Sequence, residues 1–321
     1  MATNKVVICG AGFLGSYIAH QFARNPQYII HLASRAPYPL HDRIIRQGRS
    51  EQPSPEPPHI SRFGQPFQLD VTKPVTLKPA FESADTVVSL VGVLHGTQRQ
   101  FEEIQWKGAQ NVATAAKEAG ARLIHVSAIG ADPNSSIPYF RTKGLAEEFV
   151  RQEVPDAVII RPSLIFGPGD GFFARFAALS RFLPFLPVFG GGSTRFQPVY
   201  AGDIARFMDL STRPGSNISH HTAGKVIEAG GPEVFTYREM MELVLKYTGR
   251  KRPILSLPFV VGKAQGFVLE KLPTNLLTVT RDQVEQLKND NVAKDNSFLD
   301  LLVQGDGSGP TSIHQILPTY L

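Results

Sequence analysis

The chain has 321 residues, 42% of them hydrophobic, and a formal net charge of +5 with a pI near 9.3. That suffices for one large α/β domain and a smaller appendage, and no run reaches the roughly 18 uninterrupted apolar residues of a membrane span. No dense Lys/Arg run marks a nucleic-acid site, and the single cysteine, Cys9, excludes intrachain disulfides and points to a reducing compartment.

Val6 to Cys9 reads as a first strand, and Phe13 to Phe22 has the apolar periodicity of a helix. Between them lies Gly10-x-Gly12-x-x-Gly15, the glycine fingerprint in its strand–turn–helix setting. The first glycine permits a tight turn, the second lets backbone approach a diphosphate, and the third lets helix and strand pack closely. Phe13 and Leu14 open the helix, where free N–H groups and the helix dipole favour phosphate. Tyr28 to Ala33 is a second strand, ending in Ala33-Ser34-Arg35. NAD enzymes place an acid at this point, whereas Ser34 and Arg35 suit a 2′-phosphate, so NADP(H) is expected over NAD(H).

Residues 36 to 66, with the core EQPSPEPPHIS, read as an exposed loop. A third strand ends at Leu69, placing Asp70 and Val71 beside an adenine ring. Thr86 to Val91 is a fourth strand, with Leu90, Val91 and Gly92 beside the ribose. Phe101 to Ala119 is helical and stops at Gly120. Arg122 to Ser127 is a fifth strand, Tyr139 to Gln152 a helix, and Ala157 to Arg161 a sixth strand. The alternation predicts a Rossmann-type, doubly wound parallel sheet of the α/β class.

Tyr139-x-x-x-Lys143 places a phenol and an ammonium one helical turn apart. The cation is expected to lower the phenol's pKa, fitting Tyr139 to move a proton at a carbonyl or alcohol oxygen. Lys143 can also hold the nicotinamide ribose, and Ser127 can bond the substrate oxygen. Pro162 and Ser163 would lie against the nicotinamide.

After about residue 165 the alternation loosens. Residues 1–165 form the expected NADP(H)-binding core, and 166–321 a smaller substrate-side α/β lobe interleaved with the last strands. Helices are predicted at Gly171 to Phe182, Asp203 to Leu210 and Glu239 to Tyr247, the last opened by a Thr236–Glu239 capping box. Strands are predicted at Lys225 to Ala229 and Pro253 to Leu257, with a loop at Gly305 to Pro310. Gln197 and Asp203 would return beside the substrate opening. The stretch Phe172 to Phe189 holds six Phe with Arg175 and Arg181 interspersed. It reads either as a lipid or isoprenoid contact or as an interlobe core. Phe259 to Leu272, with Lys263 and Lys271, is a second such candidate. The nine histidines lack metal-ligand spacing, with His220-His221 placed in a loop, and no metal is expected. No G-x-S-x-G elbow or P-loop is present, which argues against a hydrolase or NTPase.

In order, GAGFLG, the Asp70-Val71 pair, LVG, HVSAIGAD, YFRTK and RPSLIFGPGD resemble the short-chain dehydrogenase/reductase superfamily in its atypical branch. GDGFFARFAAL, TRFQPVYAGDIA, LTVTRDQVEQLKNDNV and the final TSIHQILPTYL extend the likeness over almost the full length. They resemble the nucleotide-binding accessory subunit of mitochondrial complex I and the related coenzyme Q biosynthesis protein. The resemblance implies bound NADP(H), a tie to quinone metabolism, a protein complex, and peripheral membrane contact. It implies the matrix side of the inner mitochondrial membrane in a eukaryote and the cytoplasm in a bacterium. A quinone or carbonyl reductase is the expected activity; the alternative is a non-catalytic structural or assembly protein holding NADPH. Only 12 positions separate Ser127 from Tyr139, about half the interval of typical catalytic members, which fits the alternative. A nucleotide-sugar epimerase is a third reading, against which the Phe-rich stretch counts.

Overall fold

A computed structural model describes residues 3–50, 60–94, 96–213, 215–269 and 280–321. Six strands of the central sheet come from the first half of the chain: β1 (Asn4–Cys9), β2 (Tyr28–Ser34), β3 (Phe67–Gln68), β4 (Thr86–Ser89), β5 (Arg122–Val126) and β6 (Val158–Pro162). Four short strands follow, β7 (Ile165–Phe166), β8 (Leu186–Phe189), β9 (Arg195–Phe196) and β10 (Val199–Tyr200). The chain then returns to the sheet as β11 (Val226–Ala229), and β12 (Phe235–Thr236) and β13 (Ile254–Leu257) belong to the second lobe. The sheet has seven strands in the order β11-β6-β5-β4-β1-β2-β3, all parallel. The order reverses between β1 and β4, and that is where a doubly wound sheet opens a crevice at its carboxyl edge.

Helices α1 (Phe13–Phe22), α2 (Pro37–Ser50), α3 (Leu77–Phe81), α4 (Gln98–Gln100), α5 (Gly108–Glu118) and α6 (Pro138–Glu153) make the crossovers. Because side chains alternate along a strand, Val6, Ile8, Val88, Ile124 and Ile160 face one layer, with Ile18 and Phe22 of α1. Val7, Cys9, Val87, Leu123 and Ile159 face the other, with Val112 of α5 and Val150 of α6. Both faces are covered, so the strands are apolar on both sides rather than alternating.

The expected loop at 36 to 66 is corrected in part, since Pro37–Ser50 is helical. Leu40 and the fully buried Ile44 stand one turn apart and both join the first core layer, and Pro37 opens the helix where its missing N–H is harmless. The Pro- and Ser-rich core at 51–59 lies outside the described residues.

The second half adds α7 (Phe173–Phe182), α8 (Ala201–Thr212), α9 (Asn217–Thr222), α10 (Tyr237–Tyr247), α11 (Phe259–Leu269), α12 (Arg281–Gln286), α13 (Ser297–Asp306) and α14 (Ile313–Ile316). Phe207 of α8 and Leu302 of α13 pack on the sheet. Phe173, Phe176, Leu186, Val188, Tyr237 and Met241 form a separate third core. The Phe-rich stretch is therefore mostly the interior of this lobe, with Phe182 left outside at 79% exposure. The capping box at Thr236 and Glu239 is formed on both sides. Gly305, expected in a loop, is the penultimate residue of α13. His220 and His221 also depart from expectation: they ride on α9, which Ser216 caps through its hydroxyl.

A close constraint between β1 and α1 is at Gly15, where an added Cβ would overlap the Gly10 carbonyl oxygen. Neither the strand end nor the helix start can yield without breaking β1 or α1. Gly15→Ala should cost about 2–4 kcal/mol, read as a lower urea midpoint at unchanged slope.

Candidate functional site at the carboxyl edge of the sheet

β1 ends in Gly10 at φ +109°, a conformation few residues other than glycine adopt. Its turn delivers Gly12 as the N-cap of α1, and no side chain bonds the first-turn N–H groups there. A Cβ on Gly12 would meet nothing within 4 Å. The Leu90 side chain lies over Gly10 and Gly15 and closes the turn from the β4 side. The three glycines thus divide the work: one turns, one leaves a cradle bare, one admits the helix. Phe13 is half-buried and stacks edge-on to Tyr17 at 5.4 Å, while Leu14 packs against the first core layer.

Ser34 closes β2, and its Oγ is buried with no hydrogen-bond partner among the described residues. Arg35 beside it is exposed. The Asp70 carboxylate accepts from Thr72 N at 3.0 Å and Thr72 Oγ at 2.8 Å. Those bonds hold its pKa below the usual carboxylate range, with Lys73 and Arg35 adding a favourable field. Asp70 thus first shapes its own turn. The Val71 carbonyl accepts from Asn111 on α5 at 2.8 Å, which fixes this strand end to the helix. An orphaned hydroxyl and a guanidinium at the tip of β2, next along the sheet from a bare glycine cradle, fit the adenosine half of a nicotinamide dinucleotide.

α6 brings Tyr139 and Lys143 to the other half. Lys143 Nζ donates to the carbonyls of Val126 at 2.8 Å and Val91 at 3.1 Å, bridging the ends of β5 and β4. Gly92 passes directly beside this ammonium. Burial pulls the Lys143 pKa down to about 8, against a smaller opposing pull from Glu147 one turn on. Glu147 in turn receives a two-pronged bond from Arg161 at 2.9 and 2.6 Å.

The expected depression of the Tyr139 pKa is corrected. Burial pushes the phenol up to about 12, and no effect of Lys143 opposes it. Helical spacing puts the two groups on one face, but the ammonium turns to the strand carbonyls while the phenol ring stacks edge-on with Phe101 and Phe140. The Tyr139 hydroxyl makes no hydrogen bond among the described residues. Ser127 Oγ is likewise buried and without a partner. The Tyr139 phenol is therefore protonated at neutral pH.

Pro162 ends β6 in register with Ala229, and Ser163 is turned toward a distant segment. Its Oγ lies 2.7 Å from the Asn291 carbonyl, and Gln197 N donates to it at 3.2 Å. Gln197 and Asp203 are also occupied by bonds within the protein, although Asp203 lines a cavity of about 180 Å³ with Tyr17, Tyr200 and Thr311. Gln197 bonds Gly231 O and Ala293 N, and Asp203 accepts from Thr311 N at 2.7 Å and Thr311 Oγ at 3.0 Å.

Gln105 escaped the sequence reading. It lies on a π-helical stretch, Phe101–Lys107, an irregularity frequent near functional sites. Fully buried, it donates to Tyr139 O and Thr142 Oγ, both at 2.9 Å, and accepts from Val93 N at 3.3 Å. It fixes the Tyr139–Lys143 helix to the loop after β4. An uncharged amide four residues after Phe101, in an otherwise apolar position, was the available signal.

His125 lies under the site, with Nδ1 3.1 Å from Ser89 Oγ and Nε2 unpartnered among the described residues. Burial, and secondarily the charge of Lys143, lower its pKa to about 3. The unfolded chain then binds a proton at this histidine between about pH 3 and 6.5 that the native state refuses, so stability is lost as pH falls through that window. His125→Gln should flatten this acid limb in urea midpoints measured from pH 7 to pH 4.

The profile of the NAD dependent epimerase/dehydratase family matches residues 6–223. NADH dehydrogenase (ubiquinone) 1 alpha subcomplex subunit 9, mitochondrial, of Arabidopsis thaliana is 30% identical over 91% of this chain and 71% of its own length. The Citrobacter triphenylmethane reductase solved with NADP(H) superposes at a TM-score of 0.69, with 18% identity over 99% of this chain and 100% of its own. The Bacillus cereus UDP-glucuronic acid 4-epimerase Y149F mutant, solved with NAD, gives 0.65, with 20% identity over 88% and 99%. At those identities the structural likeness is one of fold.

Proposed function

The chain belongs to the NAD dependent epimerase/dehydratase family, and we propose that it holds NADP(H) as an accessory, nucleotide-stabilised subunit of the quinone-linked respiratory machinery. The carrying observation is the pairing of a bare Gly12 cradle with the unpartnered Ser34 hydroxyl and Arg35 at the next strand tip. The Arabidopsis relative, by its name a mitochondrial NADH dehydrogenase subunit, supports the accessory role and a mitochondrial setting. In this reading Gly12 and the first-turn N–H groups of α1 take the diphosphate. Ser34 and Arg35 take the 2′-phosphate, and Lys143 holds the nicotinamide ribose.

A second reading, a carbonyl or quinone reductase serving ubiquinone biosynthesis or respiration, draws on one observation. Ser127 Oγ is buried without a partner among the described residues, as a hydroxyl awaiting a substrate oxygen would be. Bound nicotinamide would supply the hydride. Tyr139, kept protonated by burial, would donate the proton, and Ser127 would orient the oxygen.

Calorimetry with NADPH and NADH tests the cofactor assignment. Arg35→Ala should weaken NADPH about tenfold or more and leave NADH within about twofold; equal losses would refute it. Gly12→Ala should keep the wild-type melting temperature yet lose dinucleotide affinity, since its methyl group enters only the diphosphate's space. Saturating NADPH should stabilise wild type, by about 2.7 kcal/mol at a hundredfold excess over Kd. Mixing the NADPH-loaded protein with a short-chain quinone separates the two roles. No oxidation of NADPH supports the accessory role, and oxidation abolished by Tyr139→Phe establishes the reductase.

A further inference from the structure

We propose that the outward face of α11 is a docking surface for an anionic phospholipid bilayer, an inference independent of whether the sheet holds a dinucleotide. α11, FVVGKAQGFVL, is apolar around nearly its whole circumference. Its inner side is settled: a Cβ at Gly262 would press on Phe189 and Val284, and one at Gly266 on Arg281. Those two glycines, four apart, let the helix lie close against the second lobe. The opposite side carries Val260 at 76% exposure, Val261 at 45%, Ala264, and Phe267 at 53%. At about 100° per residue, 260, 264 and 267 share one narrow arc, with 261 at its edge. A helix on the surface of a soluble domain turns polar residues outward; this one turns valine and phenylalanine.

Cations border the apolar arc. Arg281 lies 5.5 Å from the centroid of the Phe267 ring, while Lys288 stands 5.7 Å from that of Phe259 on the inner side, where this ring meets Gly190. Lys263 and Lys288 converge on Glu285. Lys251 and Arg252 are exposed at the entry to β13, where Leu255 is also 43% exposed. Residues 250–288 hold seven Lys/Arg against three Asp/Glu, so most of the chain's net charge of +5 sits in this one segment. Large apolar groups flanked by long cationic side chains match the depth profile of a lipid interface: rings below, ammonium and guanidinium groups at the phosphates. The core of a protein–protein interface is instead depleted of lysine. No helix among the described residues is long and apolar enough to cross a membrane. α11, 11 residues or about 16 Å long, is half the length a span would need, so it would lie in the plane of the interface.

The full chain, mixed with phosphatidylcholine vesicles with and without phosphatidylglycerol, decides this by co-sedimentation. Binding should require the anionic lipid and weaken as salt is raised. It should fall about fivefold for each charge removed in Lys251→Ala and Arg252→Ala. The double variant Val260→Glu, Phe267→Glu should lose binding while keeping the wild-type circular dichroism and melting temperature. No binding to anionic vesicles at low salt overturns the proposal, as does binding that survives the double variant intact. Should light scattering show a dimer that the double variant dissolves, with no vesicle binding, the face belongs to a second copy and the lipid assignment falls.

Discussion

The site is organised by one buried ammonium. Lys143 spans from α6 to the carbonyl ends of β4 and β5, so the helix and two neighbouring strand ends share a single cation. An isolated buried charge is expensive. The cost is met by two carbonyl dipoles and by Glu147, itself anchored by Arg161, whose other side faces Glu228 on β11 at 3.8 Å. Alternating charges thus run from the helix to the far edge of the sheet. Removing one member would strand its neighbours, which is why such arrays hold geometry better than they add stability. Tyr139 inherits its position from this anchor and from Gln105.

Local chemistry was legible in the sequence; burial was not. The glycine fingerprint specifies its own turn: the chain turns at Gly10, leaves open space over Gly12 and packs helix on strand at Gly15. The parallel sheet was readable because both-sided burial leaves short β-branched runs between helical periods. α2 was hidden because two prolines and three arginines break up the apolar pattern of residues 36 to 50, where Leu40 and Ile44 mark the face turned to the core. Tyr139 shows the limit most clearly. An i, i+4 spacing places two groups together, but whether the cation faces the phenol depends on carbonyls from strands 17 and 52 positions away. The same holds for Ser163, whose hydroxyl is taken by Asn291, 128 residues on.

Second-lobe closure is likewise a long-range matter. The C-terminal stretch from Thr311 is tied to earlier elements. Thr311 binds Asp203 on α8, Ser312 and Ile313 bind Glu233, and Tyr320 donates to Asp170. Asp170 also accepts from the backbone N–H groups of Gly167, Phe172 and Ala174. That carboxylate therefore fixes the Gly167-Pro168-Gly169 turn leaving the sheet, and Tyr320 fixes the carboxylate. Sequence inspection placed Gln197 and Asp203 at a substrate opening, but the C-terminal third consumes both.

This consumption bears on how the two lobes divide their labour. In a fold that binds ligands between sheet and lobe, polar side chains lining the gap normally remain unspent until a ligand arrives. Here Gln197, Asp203, Ser163 and Asp170 all spend their hydrogen bonds on the protein itself, and an aromatic cluster of Phe172, Phe176, Phe196 and Tyr237 fills the lobe's centre. Among the buried polar atoms without partners in the described residues, Ser34 Oγ and Ser127 Oγ stand at the carboxyl edge of the sheet, while Asp209 Oδ1 on α8 and Gln286 Nε2 on α12 lie elsewhere. Unsatisfied buried hydroxyls are retained where something else completes them. Ser34 Oγ and Ser127 Oγ thus stay open along the line where a dinucleotide would lie, whereas Gln197, Asp203, Ser163 and Asp170 are bonded within the protein.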